Sequence, residues 1–236
     1  DGLLDALAKG PVEGLVCDVR HKPGGVLNAS VEMASSFLDG GLVVYTQGRH
    51  PESKTVLEAD PGELLPDVPI VVMVNGGSAS ASEIIAGALQ DRGRAVIMGT
   101  RSFGKGSVQT VLPVSETKAL KLTTSLYYTP NGRSIQAEGI VPDVVVERAQ
   151  LTSLEQGRRL READLNRSLK NTAEAQASET EEMASLREDD NQLYEAFTLL
   201  KGINVYKQID AKRSEVTPSE LAAPDQATKE VKALNK

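Results

Sequence analysis

The chain has 236 residues, of which 40% are hydrophobic but only 3% aromatic, with no Trp. Its core must therefore be aliphatic, and a formal net charge of −7 excludes a broad nucleic-acid footprint or a basic membrane-binding face. The single cysteine, Cys17, can make no internal disulfide and reads as a small buried hydrophobe. No run approaches the roughly 18 apolar residues of a membrane span.

Leu3, Leu4, Leu7 and Ala8 have helical spacing, and Gly10-Pro11 breaks that helix. Residues 12–19 read as a strand, Pro23-Gly24-Gly25 as a turn, and 27–38 as a helix. A strand follows at 41–46, then a polar, turn-rich excursion or hairpin at 50–63. Residues 69–74 are apolar throughout, which suits a parallel strand buried on both faces. A helix at 82–90 and another buried strand at 95–98 complete a strand–helix–strand rhythm typical of α/β folds. From Val108 the pattern changes to strands joined by turns, at 108–112, 119–128 and 144–147. The remainder is polar. Residues 154–169 fit one amphipathic helix, and 171–190 have little to bury and read as linker. Leu193, Ala196, Phe197, Leu199 and Leu200 form the apolar stripe of a short helix that Gly202 could terminate. Residues 210–236 are mostly solvated. Two units are expected: an α/β core at 1–149 and a helical, partly disordered extension at 150–236.

The densest chemical signal is Asn75-Gly-Gly-Ser-Ala-Ser-Ala-Ser-Glu83, between a buried strand and a helix. A serine at a helix N-terminus sits where free N–H groups stabilise an oxyanion. Ser80-x-x-Glu83 also fits a capping box, in which Ser80 merely caps the helix. The next cluster, Thr100 to Gln109, bears on that choice, because Lys105 lies between two glycines. A lysine in an apolar pocket loses its proton more readily, and a neutral lysine can deprotonate a serine. The Gln109 carbonyl could orient the amine. Gly99-x-x-x-x-Gly104-Lys105 also matches the start of a P-loop, but position eight is Gly106 instead of Ser or Thr. A strand rather than a helix then follows, so nucleotide binding is set aside.

Together these segments resemble the carboxyl-terminal processing (tail-specific) proteases of the S41 peptidases, bacterial type. The resemblance is carried by Gly77-Ser-Ala-Ser-Ala-Ser-Glu-Ile84, Ala88-Leu-Gln-Asp91, residues 99–109, Asp18-Val-Arg-His-Lys-Pro-Gly-Gly25 and Tyr127-Tyr-Thr-Pro-Asn-Gly-Arg-Ser-Ile135. It runs through about residues 10–147, and the segments at 154–164 and 191–201 are similar to the tails of bacterial members. It implies a Clp-protease/crotonase-like α/β core and a serine endopeptidase cutting near the C-termini of proteins. Ser80 matches the nucleophile, Lys105 the general base, and Gln109 the residue orienting it. Gly25 or Gly24, with Ala81, matches the oxyanion donors. Asp91 falls on an acidic position near the active site and, like Glu83, is assigned a supporting role. Neither metal nor cofactor is implied. Implied partners are proteins with unstructured C-terminal tails, a second copy held through terminal helices, and an adaptor protein. Implied location is the periplasm or cell envelope.

Where relatives carry Asn-Asn before the Pro-Gly-Gly turn, this chain has His21-Lys22. A Ser-His pair through His21 is thereby conceivable, though a solvated histidine fits the Lys105 assignment better. The signal sequence, upstream helices and substrate-capturing PDZ domain of the family are not seen in these residues, so a piece of a longer protein is expected. Two other readings are an inactive assembly or adaptor-binding module working through its C-terminal helices, and an acyl-CoA enzyme of crotonase type.

Overall fold

The computed structural model describes residues 10–151 and 181–215. The helices expected over the first eight residues and over 154–169 lie outside the described residues, as do residues 171–180 and the end of the solvated tail.

A four-stranded parallel sheet forms the centre. It comprises β1 (Leu15–Asp18), β4 (Ile70–Val74), β5 (Val96–Gly99) and β8 (Val144–Val145), in the order β1-β4-β5-β8. A second, antiparallel sheet has the order β3-β2-β7-β6, from β2 (Gly41–Gly48), β3 (Thr55–Ala59), β6 (Ser107–Ser115) and β7 (Lys118–Tyr128). The excursion after residue 50 is thus the β2–β3 hairpin. Helices α1 (Leu27–Ser35) and α2 (Ala81–Asp91) pack together and against β3 and β2 respectively.

β4 shows why the sequence builds this arrangement. All five of its side chains are buried, and they alternate between two cores. Ile70, Val72 and Val74 join α1, α2 and the antiparallel sheet through Ala34, Phe37, Ile84, Leu89 and Val43. Val71 and Met73 face the other way, onto Ala196 and Leu200. The parallel sheet is therefore covered on both faces, as its uninterrupted apolar strands require.

Helices α3 (Glu181–Asp189) and α4 (Asn191–Glu215) follow. Two sequence expectations change here. Residues 181–189 are helical instead of linker. Gly202 does not end its helix either, which runs on for a further thirteen residues, to Glu215. Gly202 has no positive φ of the kind a terminating glycine adopts. Polar anchors beyond it hold the continuation down: Asn204 Nδ2 donates to the Glu13 carbonyl and Lys207 Nζ to the Asp67 carbonyl, each at 2.7 Å. A glycine inside a helix costs only about 0.5–1 kcal/mol, which such docking offsets. α4 thus serves as a wall of the core, supplying Ala196 and Leu200 to the sheet.

Candidate active site

Ser80 occupies the turn from β4 into α2 with φ 57° and ψ −111°. A residue with a side chain rarely adopts such a backbone, which costs about 1–3 kcal/mol and persists only where its surroundings enforce it. The surroundings are explicit. The Ala79 N–H and the Ser82 hydroxyl both donate to the Lys22 carbonyl at 3.0 Å. The Ser78 hydroxyl donates to the Val19 carbonyl at 2.8 Å and accepts from the Asn75 N–H at 3.0 Å. The Ser80 N–H donates to Glu83 Oε2 at 2.7 Å. That bond is one half of the expected capping box. The other half stands in register, but the Ser80 hydroxyl makes no capping hydrogen bond. The Glu83 N–H donates to the Ser80 carbonyl at 2.9 Å instead.

The Pro-Gly-Gly turn faces this serine. A Cβ added at Gly24 would lie 3.8 Å from Ser80 Cβ, and one at Gly25 only 3.2 Å from Ala81 Cβ. A side chain at Gly25 would therefore crowd the start of α2. Among the described residues, none of the N–H groups of Gly24, Gly25 and Ala81 donates to a protein acceptor. Such unsatisfied donors at a helix start can take up a developing negative charge.

The second loop, residues 100–106, is threaded just as tightly. The Phe103 N–H donates to the Ser78 carbonyl at 3.0 Å, and the Ser102 N–H to the Ile140 carbonyl at 3.1 Å. Gly104 has φ 89°. A Cβ at Gly106 would lie 2.3 Å from the Gln136 nitrogen, so only glycine fits there. These two glycines let the Lys105 backbone enter a narrow space, as the sequence suggests.

Glu83 joins the loops. Its side chain is wholly buried. Oε2 accepts the N–H of Ser80 at 2.7 Å and that of Lys105 at 2.9 Å, while Oε1 accepts the Ser102 hydroxyl at 2.5 Å and the Gly104 N–H at 2.6 Å. The nucleophile candidate and the base candidate are therefore tied to a single oxygen atom. The supporting role expected of Glu83 is thus far larger than capping.

Other expected site residues fall less neatly. The Lys105 side chain is exposed and bonds to neither Ser80 nor Gln109, so the apolar enclosure expected for it is not formed by the described residues. Gln109 is also exposed, just past a register shift between Val108 and Gln109 in β6. Such bulges re-aim side chains. Asp91 stands at the far end of α2, about 16 Å from Ser80 at about 1.5 Å per residue. It accepts the Asn131 N–H at 2.9 Å and pairs with Arg133. Asp91 thus braces a turn and lies away from the site. His21 is exposed, has φ 55°, and its Nε2 contacts Asn75 Nδ2 at 3.0 Å, so its ring is engaged away from Ser80. Burial pushes the Cys17 thiol up to about 11, with Asp18 adding to the shift, which keeps it from acting as a nucleophile near neutral pH. An open groove of about 710 Å³ lies along Gln47–His50 and Thr123–Leu126 on the antiparallel sheet, and none of Ser80, Glu83 and Lys105 lines it.

A serine on a strained strand-to-helix turn, facing unsatisfied N–H groups and sharing one carboxylate with a lysine loop, has the layout of a nucleophile-and-oxyanion site on an α/β core. Residues 1–146 match peptidase family S41, and the chain belongs to that family. It is 47% identical over 195 residues to a carboxy-terminal-processing protease of Bartonella bacilliformis, which covers 81% of this chain and 45% of that protein. Over 152 residues it is 39% identical to a carboxyl-terminal-processing protease of Synechocystis, covering 64% of this chain and 35% of that one. The chain thus spans less than half the length of these relatives. Among solved structures, the photosystem II D1 C-terminal processing protease superposes with a TM-score of 0.57 at 39% identity, over 61% of this chain and 37% of that one. The mixed α/β core expected from the resemblance is the architecture these proteins share. Among the described residues, no helix is long and apolar enough to cross a membrane.

Proposed function

We propose that this chain carries the catalytic centre of a serine endopeptidase that cuts proteins near unstructured C-terminal tails. The observation that carries the reading is the convergence of the Ser80 and Lys105 N–H groups on Glu83 Oε2, at 2.7 and 2.9 Å. That shared acceptor keeps the two backbones adjacent, and the reading requires both side chains to turn toward one substrate carbonyl. In this reading Ser80 Oγ attacks that carbonyl while the neutral Lys105 amine takes the hydroxyl proton. The N–H of Ala81 and that of Gly24 or Gly25 hold the oxyanion. Lys105 returns the proton to the leaving amine as the C–N bond breaks. Water then attacks the acyl-enzyme, its proton passing back through Lys105. The Gln109 carbonyl orients the amine, which requires Lys105 to fold inward over bound substrate. Apo geometry is commonly looser than the geometry of the reacting complex.

The substrate class follows the printed names of the relatives, which are C-terminal processing proteases. An envelope location belongs to the same proposal. The test uses the full-length protein and an unstructured-tail peptide followed by mass spectrometry. Ser80→Ala and Lys105→Ala are each expected to lower cleavage by a factor of about 10³ or more. Retained cleavage in either variant overturns the assignment.

A further inference from the structure

The turn holding Gly24 and Gly25 is tied to a residue far along the chain. Arg20, at the end of β1, points its guanidinium toward the α3–α4 junction. Nη1 donates to Asp190 Oδ1 and to Gln192 Oε1, both at 2.9 Å, and Nη2 to Asp190 Oδ2 at 2.6 Å. Nε and Nη2 also reach Asp18, at 3.0 and 2.7 Å. The Arg20 side chain is only 12% exposed. A bidentate arginine between two carboxylates is fixed in direction as well as in place.

The junction itself is anchored to the core. Asn191 Nδ2 donates to the Glu147 carbonyl at 2.9 Å and Gln192 Nε2 to the Val146 carbonyl at 2.6 Å. The Ala149 N–H donates to Asn191 Oδ1 at 2.9 Å. Both Asn191 and Gln192 are buried. From Arg20 the chain passes through His21, with its positive φ, to Lys22. The Lys22 carbonyl holds the Ser80 loop through Ala79 and Ser82. The Pro-Gly-Gly turn begins at the next residue. Its entry is thus held by the C-terminal helices on one side and by the nucleophile loop on the other.

We propose that Asp190 is a positioning residue for the oxyanion turn, acting through Arg20, so that seating of the C-terminal helices and readiness of the Ser80 site are coupled. The catalytic half of this proposal rests on the peptidase reading above. Asp190 is not a catalytic residue, since it touches Arg20 and the start of α4. It also caps α4, accepting the Leu193 N–H at 3.1 Å, and capping alone would explain a loss of stability. The capping role and the positioning role separate by side-chain length. Serine caps a helix about as well as aspartate but is too short to clasp Arg20. Asparagine caps and keeps one acceptor.

The experiment is made on the full-length protein, as wild type, Asp190→Ser and Asp190→Asn. Hydrogen exchange is read at the amides of His21 and Ala79, which donate to Asn75 Oδ1 and to the Lys22 carbonyl at the entry to the turn, and steady-state cleavage is read on an unstructured-tail peptide. Asp190→Ser is expected to speed exchange at those amides about tenfold while leaving α2 and α4 protected. It is expected to lower kcat about tenfold with KM within about twofold, and Asp190→Asn to recover part of both. Unchanged exchange at His21 and Ala79 overturns the clasp. Faster exchange spread evenly over the whole protein overturns it too, since Asp190 then acts only as a cap. Altered exchange with unchanged kcat overturns the coupling. If wild type and Ser80→Ala are equally inactive, the peptidase reading fails, while the exchange measurement still decides the clasp.

Discussion

Glu83 and Asp91 sit near opposite ends of one helix, α2, with side chains almost shut off from solvent, yet they do different work. Glu83 gathers donors from the Ser80 turn and from the Ser102–Lys105 loop, joining the two segments of the candidate site. Asp91 gathers Asn131 and Arg133, which brace the turn after β7. Residue type and burial do not separate the two. What separates them is which loops supply the partners. The end of a helix that meets a sheet's C-terminal edge becomes a site, and the other end becomes a support.

The comparison breaks most sharply at Glu83. Glu83→Ala strands four donors that now share one carboxylate. At about 1–3 kcal/mol for a buried unsatisfied group, the expected loss is about 3 kcal/mol or more in urea unfolding. The freed loops shift relative to each other, so cleavage by the surviving folded protein is expected to fall about 100-fold. Normal kcat in a folded Glu83→Ala protein would remove the bridging role. A smaller effect is expected at the other end. Asp91→Ala removes the acceptor of the Asn131 N–H and is expected to cost about 1–2 kcal/mol. The Arg133 share is slight, because that guanidinium is 45% exposed and screened by water. Its kcat is expected to stay within about twofold of wild type. A tenfold loss of kcat there, with folding intact, would erase the contrast between the two ends.

Much of the site was legible because its parts are local. Small residues around Ser80 and glycines around Lys105 announce tight backbones in the sequence itself, and the lack of room for a Cβ at Gly106 agrees. The alternating strand–helix rhythm likewise reports the parallel sheet, since β4 buries every side chain. Glu83 was legible as a cap and a supporting residue, not as the link between two loops. Its second set of partners comes from a loop whose nearness to α2 depends on β5 lying beside β4, and no local pattern encodes that. The spacing of Ser102, Gly104 and Lys105 was a signal of a kind, because three donors on one loop want one acceptor. Asp91 is placed near the active site by the resemblance alone, whereas α2 carries it to the end of the helix away from Ser80. The C-terminal helices were the least legible part. Residues 181–189 are polar, and α4 buries its apolar stripe on a sheet formed by residues far earlier in the chain. Asp190 falls at the end of the stretch that reads as linker, because its partner Arg20 is remote, and Asn191 and Gln192 beside it hold the segment after β8.

The account turns on Ser80 acting with Lys105. The most direct measurement is the rate and position of labelling by a serine-directed phosphonate, read by intact-mass and peptide mapping on wild type, Ser80→Ala and Lys105→Ala. The account predicts a single adduct on Ser80 in wild type and none in Ser80→Ala. It predicts labelling slower by about 10²–10⁴ in Lys105→Ala, the usual contribution of a positioned general base. An adduct on another residue, or equal labelling rates with and without Lys105, would contradict it.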